Sequence, residues 1–174
     1  MFKFVSKKIN QEVKLYNKIV FLSRNKLFYT KMELNDTFQN RIHLIFLHIS
    51  FIFVKLKISE NQKTYKIFNQ EIFDFMFKNI DQNMREIGYG DVSVNKNMKY
   101  LVKVFYKILM NCEDYLKKDL DNKSLFLYNY LTSKIDKKDI KRYELVKYFD
   151  KYQAFCLDLS LDSVLKGDLN FNYK

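Results

Sequence analysis

Apolar and polar residues alternate along this chain with the helical period almost throughout. Over residues 10–23, Val13, Tyr16, Ile19, Val20 and Leu22 recur at near-helical spacing with lysines between them, which predicts a surface helix with one buried stripe. Periodicity lapses from Asn25, until Asp36 or Thr37 offers a side-chain oxygen to the free amides that open the next helix. That helix runs from about 37 to 57 and sets Phe38, Ile42, Ile45, Ile49, Ile52, Phe53 and Leu56 along one side. Phe46, Leu47 and Phe51 make it apolar nearly all round, so other helices should surround it. Residues 63–87 repeat the pattern through Tyr65, Phe68, Ile72, Phe75, Met76, Ile80, Met84 and Ile87, a rod of about 36 Å. Tyr65, Phe68 and Phe73 are read here as core. Residues 94–118 resume with Val94, Met98, Leu101, Val102, Phe105 and Leu109 on one face. Less regular helices are expected over about 122–134 and 137–157, and a short element ends near Gly167. No strand alternation persists and no internal repeat is present. The expected fold is an all-α bundle of about six to seven helices, a single domain over 1–174 with residues 1–9 loosely ordered.

Two of the three glycines, Gly88 and Gly90, fall between the third and fourth of these helices in a chain with no proline. A helical hairpin explains them. Gly88 takes the left-handed conformation that ends a helix, Gly90 lets the chain turn sharply, Asp91 closes the turn and Ser93 caps the next helix. A dinucleotide fingerprint fails, because "GYGDVS" lacks a third glycine and follows a helix where that motif follows a strand. An anion-binding nest of turn amides is the remaining chemical reading of the loop.

Charge changes the picture. The formal net charge is +11, which favours anionic partners such as nucleic acid, ribosome or an acidic membrane surface. Residues 1–31 concentrate it, with eight basic residues against the single acid Glu12. Part of the bias reflects AT-rich codon usage, since Lys, Asn, Ile, Phe and Tyr abound while Gly, Pro and Ala are scarce. Cys112 and Cys156 stand far apart with no second ligand at metal spacing, so two reduced, packed thiols in a reducing compartment are expected. The start "MFKFVSKKINQEVK" breaks into lysines with no apolar run, unlike an export signal. The strongest apolar run, "LIFLHISFIFV", is shorter than the roughly 20 residues a bilayer span needs.

Candidate chemistry is sparse. His43 and His48 sit five residues apart, about 140° around a helix, and cannot share a metal from one face. Core histidines are the simple reading, and a small hydrolase built on a water-accessible His48 is the catalytic one. Asp81 and Arg85 are an i, i+4 pair with the acid first, and Glu86 then faces a neighbouring helix or a partner. Lys99, Lys103 and Lys107 recur every four residues with Lys96 nearby. Such a stripe repels itself unless acids lie opposite, for which Asp74 and Asp81 are the candidates, or an external anionic surface covers it.

The run "FDFMFKNIDQNMREIGYGDVSVNKNMKYLVKVFYKI" resembles the ubiquinol-cytochrome c chaperone family. The matching residues are Met76 and Phe77, Asp81, Arg85 and Glu86, Gly88, Gly90 and Asp91, then Phe105 and Tyr106. Upstream, Leu15 and Tyr16, Arg24, Phe28 and Tyr29, Asp36 and Thr37, Arg41, and the Leu47–His48 pair continue it. The chain departs at Lys107 and Ile108, where the family usually has Gly-Arg, and at Asn35, where it usually has proline. The resemblance implies a non-enzymatic assembly chaperone of respiratory complex III that binds newly synthesised cytochrome b. A small partner protein, the ribosome and peripheral contact with the inner membrane belong to that picture. Neither catalytic residue, cofactor, metal nor DNA does. Tyr29, His48, Asp81, Arg85, Glu86, Gly88, Gly90, Asp91, Lys99 and Lys103 are the candidate client- or partner-binding residues. The location that follows is the cytoplasm and inner membrane surface of a bacterium, or the matrix side of a mitochondrion. The alternative function is a basic helical module that binds ribosome or RNA.

Overall fold

The computed structural model describes residues 11–58, 62–134 and 140–173. The loosely ordered start expected over 1–9 lies outside the described residues, as do residues 137–139 of the expected 137–157 helix. The elements are α1 (Gln11–Ser23), α2 (Leu27–Thr30), α3 (Phe38–Lys57), α4 (Gln62–Glu86), α5 (Asp91–Glu113), a 3-10 turn (Tyr115–Lys117), α6 (Leu120–Tyr128), α7 (Arg142–Asp158) and α8 (Leu161–Lys166). The architecture is all-α, as its periodicity predicts, and a lone antiparallel bridge between Leu34 and Ser133 is the sole strand-like contact among the described residues.

Helix α3 is the axis. Fourteen of its 20 residues are buried, and α1, α4, α5 and α7 all pack on it. Its start is set by Thr37, whose hydroxyl accepts from the Asn40 amide at 3.2 Å. Asp36, the other candidate, instead takes both nitrogens of the Arg41 fork at 2.7 and 2.8 Å. Two aromatic clusters flank the axis. Phe46, Phe77 and Phe105 meet where α3, α4 and α5 converge, with Phe46 and Phe105 at 5.3 Å between ring centres. Phe28, Phe51, Tyr148, Phe149 and Tyr152 surround His48 on the other side. The segment after α8 closes over this second cluster, setting Phe171 and Tyr173 against Tyr148 at 5.5 and 5.0 Å. Lys55 donates to the Leu157 carbonyl at the C-terminal end of α7, where a cation complements the helix dipole.

Buried Asn40 joins two loops to the start of α3. Its amide nitrogen donates to the carbonyls of Asn35 (2.7 Å) and Thr132 (2.8 Å), and its oxygen accepts from the Thr132 amide (2.9 Å). Asn40→Ala leaves the Thr132 amide without its partner, while the Asn35 and Thr132 carbonyls keep the Thr37 and Asn35 amides, and is expected to cost about 2 kcal/mol by chemical denaturation. A loss below about 0.5 kcal/mol would mean that water replaces the clasp without penalty.

Helix ends differ from the sequence expectation where tertiary contacts decide them. The 94–118 helix begins instead at Asp91 and stops at Glu113, where Asp114 leaves helical geometry (φ −98, ψ 9) and the chain tightens into the 3-10 turn. Ser93 is therefore not the cap; Gly90 is, without a side-chain hydrogen bond. Asp119 caps α6, accepting from Asn122 at 2.8 Å, so α6 covers 120–128 rather than 122–134. Residues 132–134 instead run beside the segment before α3, with Asn35 donating to Thr132 and Lys134 to Glu33. The four-residue α2 has no periodic signature. Cys112 and Cys156 are buried free thiols, and burial pushes both thiol pKa values upward.

Candidate functional site

The α4–α5 hairpin is built from the residues that close its turn. The amide of Gly88 donates to the Arg85 carbonyl and that of Tyr89 to the Met84 carbonyl, both at 3.0 Å, the paired hydrogen bonds that end a helix on a left-handed residue. Gly88 supplies that residue with φ +97. Gly90, by contrast, has ordinary extended geometry (φ −72, ψ 159) and nothing within 4 Å of a Cβ placed on it. The turn is therefore made at Gly88, and the sharp bend expected at Gly90 is not found.

Arg85 fastens the hairpin. Its Nε donates to Asp81 at 2.6 Å within α4, and its Nη1 donates to Asp91 in the first turn of α5. Asp81 first and Asp91 next hold the guanidinium charged, raising its pKa further. Glu86 is exposed and accepts from Gln82 at 2.9 Å. Beyond this polar clasp, Ile87, Tyr89 and Val92 point outward, so the hairpin tip carries an apolar knuckle. Asp81, Arg85, Glu86, Gly88, Gly90 and Asp91 thus lie together, and Lys99 and Lys103 follow on the exposed side of α5.

Tyr29 and His48 lie elsewhere. Tyr29, half-buried on α2, adjoins the Asp36–Arg41 pair; burial first, then the Asp36 charge, pushes its phenol upward while Arg41 opposes. His48 has no exposed surface. Its Nδ1 donates to the Leu44 carbonyl at 2.6 Å, so Nε2 is the acceptor for the Tyr148 hydroxyl at 2.8 Å. Burial drives its pKa down to about 4. Sealed and with both nitrogens engaged, His48 can neither meet a client directly nor serve the hydrolase reading, which required water to reach it. His43 uses Nδ1 on the Tyr130 carbonyl at 2.6 Å and is likewise shifted downward by burial.

A groove of about 390 Å³ runs between α4, α5 and the end of α3. Phe53, Leu56, Tyr65, Phe73, Tyr106 and Leu109 form much of its wall, and the Lys57–Glu113 pair at 2.9 Å stands among the groove residues. Tyr65 and Phe73, read from sequence as core, therefore also line the groove, whereas Phe68 is buried. Tyr106 is half-exposed and stacks at 5.8 Å on Phe73. Its place at the end of the Phe-Tyr motif was the signal that marked it. The lysines of α5 do not find the acids expected opposite them. Asp81 is taken by Arg85, Asp74 accepts from Gln70, and Lys96, Lys99, Lys103 and Lys107 have no ion-pair partner among the described residues.

The fold and site define a small helical bundle with a clasped glycine hairpin and an aromatic groove between its helices. The chain belongs to the ubiquinol-cytochrome c chaperone family, which matches residues 30–171. It is 22% identical over 107 residues to ubiquinol-cytochrome c reductase complex assembly factor 1 of Mus musculus, a match covering 62% of this chain and 36% of the mouse protein. The chain thus spans about a third of the length of that relative. The crystal structure of the Cbp3 homolog from Brucella abortus superposes with a TM-score of 0.78 at 25% identity, covering 94% of this chain and 89% of that one. Among the described residues no helix is long and apolar enough to cross a membrane. The family is described as one of chaperones, and the mouse relative is named as an assembly factor of the ubiquinol-cytochrome c reductase complex.

Proposed function

We propose that this protein is an assembly chaperone of respiratory complex III that holds newly made cytochrome b, with the groove between α4 and α5 taking an apolar segment of the client. The observation that carries the reading is the groove itself. It offers aromatic and aliphatic wall to a membrane protein that has not yet reached lipid, and Tyr106 at its edge is a rigid, amphipathic contact of the kind that dominates binding interfaces. The hairpin beside it, with Arg85, Asp81, Asp91 and Glu86 around an apolar tip, serves as a second contact for a small partner protein or the ribosome. Tyr29 and His48 lie away from both surfaces, His48 within the aromatic cluster on the other side of α3.

A photo-crosslinking residue at position 106 should capture cytochrome b from membranes, and the same residue at position 21 should not, although Phe21 is more exposed. Tyr106→Glu should cut recovery of cytochrome b at least about tenfold at an unchanged melting temperature. Arg85→Ala combined with Asp91→Ala should lower complex III assembly while the fold persists. Equal crosslinking from both positions would remove the groove from the reading. The net charge of +11 favours one rival, a ribosome- or RNA-binding module, which requires RNA recovery without cytochrome b and a steep loss of binding with salt.

A further inference from the structure

Helix α5 buries Val94, Leu101, Val104, Phe105, Ile108 and Cys112 against the bundle. At about 100° per residue, its outward face centres on Lys103 and spans about 120°. Lys96, Lys99, Lys103 and Lys107 all lie on that face, exposed and without an ion-pair partner among the described residues. Some lysines elsewhere find carboxylates, as Lys14 does on Asp168 and Lys123 on Asp150, both at 2.8 Å, and others such as Lys18, Lys66 and Lys78 do not. Among the described residues, only on α5 do four unpaired lysines share one helix face. Val92 and Met110 flank the four cations along the helix, and Tyr100 and Tyr106 stand between the first and the last of them. Val92 is 84% exposed and Met110 67%, with Tyr100 and Tyr106 about half-exposed at the two margins. No acid falls within the stripe; Asp91 and Glu113 lie outside it, at its two ends.

Two costs therefore coincide on one strip about 27 Å long. Like charges at i, i+4 repel, and aliphatic side chains meet water. A partner that relieves both must present negative charge at its surface and an apolar layer just beneath. We propose that the outward face of α5 docks this protein onto a bilayer containing anionic phospholipids, the lysines meeting headgroup phosphates and Val92 and Met110 entering the boundary below them. Nucleic acid satisfies the charges but offers nothing to Val92 and Met110. Lysine, a flexible stem ending in a point charge, suits a fluid headgroup layer, and the face carries no arginine fork for fixed phosphate geometry. The inference extends the chaperone reading by giving the bilayer a definite face of the molecule, but it needs no client and stands or falls separately.

The test is flotation of the full chain with phosphatidylcholine vesicles, with or without phosphatidylglycerol, in the absence of cytochrome b. Binding should require the anionic lipid and weaken with salt. Each Lys→Gln change should lower partitioning about fivefold, and the Lys99→Gln, Lys103→Gln, Lys107→Gln triple variant about a hundredfold. Val92→Ser with Met110→Ser should also weaken vesicle binding while leaving affinity for single-stranded polyuridine unchanged. Circular dichroism melts identical to the parent keep each variant interpretable. Failure of the parent to float with anionic vesicles, or equal flotation of the triple variant, overturns the proposal. Polyuridine binding that is lost in the triple variant, with vesicle binding intact, overturns it in favour of nucleic acid. Because no client is present, none of these outcomes depends on the groove.

Discussion

Lowering the pH from 7 to 4 is expected to remove about 3 kcal/mol of stability through His48 alone. The folded state holds this imidazole neutral, with its pKa lowered from 6.5 to about 4 by complete burial. The unfolded chain binds a proton at the ordinary value, so between those two pH values it carries more protons than the native state. Stability is then fully present above pH 6.5, falls as the pH drops, and has lost the whole contribution below about 4. His43, lowered by burial in the same way, adds to the slope with the same sign. Exposed carboxylates such as Asp36 and Asp168, held low mainly by Arg41 and Lys14, act later, as they protonate toward the folded pKa values. Urea denaturation at intervals between pH 7 and 5 isolates the histidines. A flat profile there, or an imidazole signal titrating near 6.5 in the native protein, would show that His48 is hydrated and that the sealed geometry is wrong.

Gly167→Ala is expected to cost a further amount of similar size, about 3 kcal/mol, from two sources. Gly167 ends α8 at φ +68, a left-handed position that any other residue pays to occupy. A Cβ there would also meet the Leu15 amide nitrogen at 2.8 Å and the Lys14 carbonyl carbon at 3.1 Å. Both are backbone atoms of α1 and cannot rotate away. Gly88→Ala is the natural comparison, because its φ of +97 is strained for alanine while nothing lies within 4 Å of the new Cβ. It should cost about 1 kcal/mol. Equal melting temperatures for the two variants would mean that α1 and α8 separate easily, and the close approach would carry no stability.

The hairpin and the axial helix were legible because their signals are local. An all-round apolar run must be surrounded, and a glycine between two periodic segments ends the first of them. The helix ends at Glu113 and Tyr128 were not legible, since the chain after each is held by partners distant in sequence. Thr132 is an example: it leaves helical geometry for Asn40 and Asn35, about ninety residues away. The role of Gly90 was misread for the opposite reason. Gly88, two residues earlier, supplies all the unusual backbone, and a sequence cannot say which of two such closely spaced glycines does so. Of the candidate site, the Arg85 clasp follows from spacing, but its reach to Asp91 depends on the turn. The groove depends on Tyr65 and Phe73 sharing a wall with Tyr106 from another helix. The unpaired lysines of α5 could be named but not judged, because whether an acid lies opposite is a property of packing.

The contact between α1 and α8 also bears on how the protein is made. Leu15 and Lys14 are among the first described residues to leave the ribosome, yet their close neighbour is Gly167, and Lys14 pairs with Asp168 at 2.8 Å. Tyr148 likewise completes its surroundings only with Phe171 and Tyr173. The first of the described helices to be synthesised thus acquires its full set of neighbours only when α8 has been made. The bundle closes after translation has passed residue 173, and until then the face of α1 that α8 covers stays open to whatever attends the nascent chain.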